Sequence, residues 1–162
     1  NIGKKRNIGV QKSTNDYILF MDDDDYYPPG SFVERIIKLI NNKKECVFCS
    51  SIGCFHINKY ISIMNVPPHQ DAFHERVSEA TLCFKKTFWE EKQFLDDCNG
   101  AEGSHFIKDR YSKCLEIEPE NIIVSLLHKN NTSNKKLPVK EPNGCHFNFS
   151  DKLFEFITNL DR

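Results

Sequence analysis

The stretch YILFMDDDDYYPPGSF, residues 17–32, limits the fold of this chain more than any other. The segment NDYILFM is short and apolar with a polar start, the pattern of a buried strand. It runs straight into Asp22, Asp23, Asp24 and Asp25, four carboxylates that repel one another. Pro28 and Pro29 then forbid a continuing ladder or helix, so the acidic run is a loop at the end of a strand. Two arrangements offset the repulsion. One is a solvated turn ahead of a helix, whose dipole favours negative charge at its start. The other is a hard divalent cation, because Mg2+ and Mn2+ take oxygen ligands and share them with phosphates, so that one or two protein carboxylates suffice. Alternation along an extended segment sends Asp22 and Asp24 one way and Asp23 the other, which lets the cluster divide its work between a metal and a ligand hydroxyl.

The rest of the chain alternates strands with helices. SFVERIIKLINN is an amphipathic helix: Ser31 stands at the cap, Glu34 at the capping-box offset, and Phe32, Val33, Ile36, Ile37 and Ile40 make the apolar face. Residues 46–56 and about 60–64 are expected strands, NVPPHQDAFHER a polar loop, and SEATLCF a further strand. KKTFWEEK is a short helix with Trp89 in the core, and NGAEGSHFIKDRYSKC becomes a helix after a glycine turn. NIIVSLLH is a strand ending in His128, KNNTSNKKLPVKEPNGCHFN a long polar loop, and DKLFEFITNL a closing helix with Leu153, Phe154, Ile157 and Leu160 on one face. The expectation is one α/β domain over residues 1–162, a mixed sheet flanked by helices. Its acidic and polar residues fall just after strand ends, the edge at which open α/β sheets bind ligands.

Composition narrows the function classes. A net charge of −1 over 162 residues gives no electrostatic case for nucleic acid or a membrane surface. No run approaches the roughly 18 apolar residues of a membrane span, and no signal peptide is visible. The seven cysteines are odd in number and irregular in spacing, which fits reduced thiols and a cytoplasmic location. Cys46, Cys49, Cys54 and His56 resemble a zinc cluster only in composition: the C-x-x-C lacks a second pair, and CVFCSSIGCFHI reads as a strand in which Cys is a small hydrophobe. The sequons at Asn130, Asn131 and Asn148 mean little without a secretory signal.

KRNIGVQKSTNDYILFMDDDDYYPPGSF resembles the central motif of family 2 glycosyltransferases with the GT-A fold. In that family an Arg-Asn-x-Gly helix leads to a strand ending in Asp-x-Asp-Asp, followed by an aromatic residue and Pro. The matching residues are Arg6, Asn7 and Gly9, then Asp22, Asp24 and Asp25, then Tyr27 and Pro29. The resemblance implies a GT-A-type mixed sheet and transfer of a hexose-like sugar from a nucleotide-sugar donor, first of all a UDP-sugar, with Mn2+ or Mg2+. The acceptor would be a hydroxyl of a glycan, lipid or protein. Asp24 is the first metal ligand it implies, with Asp22 toward metal or ribose, Asp23 beside the donor, and Arg6 and Asn7 lining the donor side. His128, followed by Asn-Thr-Ser, is implied as a metal or diphosphate contact, with Lys129, Lys135 and Lys136 near phosphate.

Inverting transfer needs a base for the acceptor hydroxyl. The family commonly places Glu-Asp at a helix start beyond the acceptor strands; here the stretch is GAEGSHF, so Glu102 is the candidate and Gly103 stands where the second acid is usual. Asp96 and Asp97 follow it as candidates. The motif begins within six residues of Asn1, and the first βαβ part of such a domain, about 60–90 residues by usual domain lengths, is expected to be absent. The alternative is therefore a non-catalytic transferase-like binding module or an inactive fragment. A phosphohydrolase with an aspartate nucleophile is a third reading, but DDDDYYPP lacks the early Thr such a site wants.

Overall fold

The computed structural model describes residues 1–59, 61–128 and 131, together with Lys152, Glu155 and Asn159. The closing-helix residues Leu153, Phe154, Ile157 and Leu160, the polar loop from Thr132 onward, and Lys129, Lys135 and Lys136 lie outside the described residues. The chain begins with α1 (Ile2–Lys12), β1 (Tyr17–Leu19) and α2 (Ser31–Asn41). Next come β2 (Cys46–Phe48), β3 (Ile52–His56), β4 (Ile61–Asn65), β5 (Cys83–Lys85) and α3 (Lys86–Glu91). It continues through α4 (Glu102–Ile107), β6 (Cys114–Glu116) and β7 (Val124–Leu127). The α/β class is as expected, but the strands divide into two mixed sheets. One has the order β1-β5-β2-β6 and the other β4-β3-β7. In the first, β5 runs antiparallel to β1 and β2, while β2 and β6 are parallel. In the second, β3 is antiparallel to β4 and parallel to β7.

The run 46–56, expected as one strand, is cut between the two sheets. The cause lies at Cys49. Its N–H donates to Thr81 Oγ1 at 2.8 Å, and its carbonyl accepts from Ser78 N at 3.0 Å. These bonds take the backbone out of either ladder and draw in residues 79–81 as a 3-10 turn. Only the end of the SEATLCF segment is therefore strand. Cys46, Cys49, Cys54, Cys83 and Cys114 are buried free thiols. Burial pushes the Cys49 and Cys83 thiols up to about 12, so both stay protonated apolar groups.

Helix α2 reverses its expected face. Ser31, Arg35 and Leu39 are buried, while Phe32, Val33, Ile37 and Ile40 are 43–53% exposed. The residue at the N-cap is Gly30, at φ +91°, a left-handed conformation that suits glycine. Ser31 Oγ instead donates to the Ile122 carbonyl at 2.6 Å, and Glu34 pairs with Lys38. Arg35 is fully buried, with Nη1 on the Phe20 carbonyl at 2.9 Å and its guanidinium 5.6 Å from the Tyr27 ring. The helix is anchored by polar bonds to the chain leaving β1, and this sets its rotation against its apolar pattern.

Aromatic side chains fill the core beneath the first sheet. Phe94 and Phe106 stack with centroids 4.0 Å apart, and Phe84 and Phe88 meet Phe106 edge-on. Trp89 is in this core, as expected. Helix α1 closes it through Gly3, whose N–H donates to the Cys98 carbonyl at 3.1 Å. A Cβ at Gly3 would overlap the Leu95 carbonyl oxygen. Gly3→Ala is expected to push α1 off this loop at a cost of about 1–3 kcal/mol or more, read as a lower urea midpoint. Among the described residues no helix is long and apolar enough to cross a membrane.

Candidate active site

After β1 the chain keeps one more sheet-like bond, Phe20 N to the Leu82 carbonyl at 2.9 Å, and then turns away. Tyr26 exchanges two backbone bonds with Val124, at 2.9 and 2.8 Å. Tyr27 Oη accepts the Asp22 N–H at 2.8 Å and lies 3.3 Å from the Ala80 carbonyl, to which it donates. Burial, reinforced by Asp25 and Asp22, raises the Tyr27 phenol well above its ordinary value, so it keeps the proton that this donation needs.

With the loop pinned in this way, the four aspartates separate. Asp25 Oδ1 accepts from Ser125 Oγ at 2.8 Å and from Leu126 N at 3.0 Å, tying the loop to β7. Asp22 Oδ1 lies 3.9 Å from Arg6 Nη2. Asp24 Oδ2 lies 3.5 Å from His128 Nε2 and 3.2 Å from Asn131 Nδ2. Asp23 is exposed to solvent. The repulsion of the run is offset by sending neighbouring carboxylates to different partners.

A cavity of about 250 Å³ opens beside Asp22 and Asp25. Arg6, Glu79 and Glu102 share its wall. Arg6 Nε donates to Glu102 Oε1 at 2.6 Å, and its guanidinium lies 4.4 Å from the centre of the Phe20 ring. Glu102 opens α4 and is only 3% exposed, following Ala101 at φ +52°. The next N–H, that of Gly103, donates to Glu79 Oε1 at 3.1 Å. Burial and then the nearby Glu102 raise the Glu79 carboxyl above its ordinary value, against the lowering effect of the N–H donors and Arg6.

The structure thus brings Arg6, Asp22 and Glu102 to one cavity, and pairs Asp24 of the same loop with His128 at the end of β7. Asn7 is not part of the cavity wall. Its Nδ2 donates to the Phe94 carbonyl and to Asp96 Oδ1, both at 2.8 Å, and its Oδ1 accepts from Trp89 Nε1 and Phe94 N. Asp96 is therefore engaged with Asn7, and neither it nor Asp97 lines the cavity. Sequence reasoning missed Glu79, which sits in a segment read as strand, and Arg35, a charged residue on a helix. The only sequence signal for Glu79 is an acid opening an apolar run, which is too common to single it out. In the sequence Asn131 is only a sequon residue; in the structure its side chain joins Asp24 to the His128 ring.

Residues 1–98 match the family model Glycosyl transferase family 2. The chain belongs to glycosyl transferase family 2. None of the curated proteins compared with it matches. The family 2 match covers α1, the aspartate loop and the strands through β5, and it ends at Cys98, ahead of Glu102 and His128. Family 2 membership supports a glycosyl transfer role. The residues able to hold a divalent cation for such a reaction are Asp24 and His128, an oxygen and a nitrogen donor already within 3.5 Å and partly exposed. Among the described residues no group of three or more His, Cys, Asp or Glu is gathered to hold a metal. A two-ligand set suits a cation that takes its remaining ligands from substrate phosphates and water, not one caged by protein alone.

Proposed function

We propose that this family 2 domain transfers a sugar from a nucleotide-sugar donor, a UDP-sugar first, to a hydroxyl acceptor with inversion and with Mn2+ or Mg2+. The observation that carries this reading is the convergence of Arg6, Asp22 and Glu102 on one cavity, walled in part by the aspartate loop whose Asp24 pairs with His128. Asp24 and His128 would hold the cation, whose chemistry would be to neutralise charge on a leaving diphosphate. Asp22 and Arg6 form the donor side, with Asp23 at the rim. Asn7 supports the donor side indirectly, through the loop that carries Phe94 and Asp96. The carboxylates of Glu79 and Glu102 form the acceptor side, and a base for the acceptor hydroxyl is drawn from them.

Calorimetric titration of UDP, with Mn2+ and with EDTA, tests the reading. Wild-type protein is expected to bind UDP only with metal, and Asp24→Asn to weaken that binding by about 10–100-fold, the range for loss of a metal-site partner. Binding that ignores both EDTA and the substitution would remove the metal role from Asp24. UDP binding without any release of UDP from UDP-sugars would favour the binding-module alternative.

A further inference from the structure

Resting on the transferase reading above, we propose that Glu79 is the residue that takes the proton from the acceptor hydroxyl, and that Glu102 serves to hold Arg6. Both carboxylates line the cavity, but they are placed differently. Glu102 is 3% exposed and its Oε1 is bonded to Arg6 Nε at 2.6 Å, so an incoming hydroxyl has little access to it. Glu79 is partly exposed, and its carboxylate is oriented by backbone N–H donors, Gly103 N on Oε1 at 3.1 Å among them, with no side-chain cation bonded to it among the described residues.

Gly103 is what makes room for this carboxylate. A Cβ at position 103 would lie 3.0 Å from Glu79 Cγ, 3.0 Å from Glu79 Oε1 and 2.8 Å from Val77 Cγ1. The absent side chain at the start of α4 is a slot, and Glu79 fills it from the neighbouring turn. Tyr27 links the same turn to the aspartate loop through the Ala80 carbonyl, so the base and the donor loop are held in register.

The step balances as follows. The acceptor O–H proton passes to Glu79. The oxygen's electron pair forms the new bond to the anomeric carbon, while the bond from that carbon to the phosphate oxygen breaks. Its electron pair leaves on the nucleoside diphosphate, and Glu79 then releases the proton to water. Burial and the closeness of Glu102 raise the proton affinity of Glu79, which moves it toward the range useful for a base near neutral pH.

The same shift has a consequence for stability. The native state holds this proton more tightly than the unfolded state. Stability from this group is therefore full below the ordinary glutamate value of 4.5 and falls as pH rises through the raised value. Glu79→Gln keeps an acceptor for the Gly103 N–H and removes that penalty. It is expected to be at least as stable as wild type at neutral pH while losing transfer. A purely structural glutamate would lose stability instead.

The test measures UDP release from UDP-glucose, UDP-galactose and UDP-N-acetylglucosamine with Mn2+, alongside UDP affinity. Glu79→Gln is expected to slow release by about 10²–10⁴-fold. Its UDP affinity should stay within about threefold of wild type, because the lost interaction belongs to the transition state. Release within about tenfold of wild type, or a fall matched by an equal loss of UDP affinity, would overturn the assignment. Wild type that binds UDP yet releases none overturns the transferase reading in favour of the binding module, and this assignment falls with it. The assignment fails by itself when wild type releases UDP and Glu79→Gln does so nearly as fast. Wild type that binds no UDP with Mn2+ overturns the transferase reading and this assignment with it.

Discussion

Arg6→Met is expected to cost about 3–5 kcal/mol of stability, the range for breaking a buried ion pair from one side. The size comes from the residue left behind. Glu102 is 3% exposed and receives its charge-assisted bond from Arg6 Nε at 2.6 Å. Methionine fills much of the space over the Phe20 ring but offers no donor, so a carboxylate remains desolvated without its cation. The pair's net worth is a separate quantity, because removing both charges together also removes both desolvation costs. The double variant Arg6→Met with Glu102→Gln is therefore expected to recover most of the loss. Urea unfolding of the four proteins in the cycle gives the coupling. A loss below about 1 kcal/mol in the single variant would mean that the pair behaves as a solvated surface contact. UDP affinity should fall in both variants, because Asp22 also loses its Arg6 partner.

Asn7→Ala is expected to be comparably damaging, for a reason that involves no net charge. The Asn7 amide accepts from Trp89 Nε1 at 2.9 Å and Phe94 N at 3.1 Å, and donates to the Phe94 carbonyl and Asp96. Alanine strands the indole N–H and both backbone groups of Phe94 in the core. Each buried unsatisfied group costs about 1–3 kcal/mol, and the groups share one site, so a total of about 3–5 kcal/mol is expected. The readout is internal, since Trp89 is the only tryptophan. Its emission should shift to the red in the folded variant as water enters, and the urea midpoint should drop. A direct donor ligand would behave in the opposite way, losing UDP affinity with little loss of stability. That outcome would return Asn7 to the donor contact implied by the Arg-Asn-x-Gly motif.

Local signals in the sequence were read correctly where a single segment contains all of its own cause. The strand before the aspartates, the helix of KKTFWEEK and the strand ending before His128 each carry their apolar pattern and their punctuation within a few residues. The motif around Asp22–Asp25 was dense enough to point to family 2, and the family match covers it. The same reasoning failed on α2 because its rotation is decided by partners far along the chain. Ser31 bonds Ile122 and Arg35 bonds Phe20, and these bonds outweigh the burial that Phe32, Val33, Ile37 and Ile40 would have gained. It failed on residues 46–56 for a similar reason: Thr81 and Ser78 claim the Cys49 backbone from outside the run.

By itself, the sequence determined the α/β class, the position of the acidic loop at a strand end and membership of a transferase family, because periodicity, proline placement and a contiguous motif are local properties. Only the tertiary structure decided which carboxylate meets which partner. It sends Asp25 to β7, Asp24 to His128, Asp22 to Arg6, and Glu79 into the space left open by Gly103. Those pairings join segments that are distant in sequence, and charge–charge and hydrogen-bond energies depend on distance and burial. Neither quantity exists until the chain has folded.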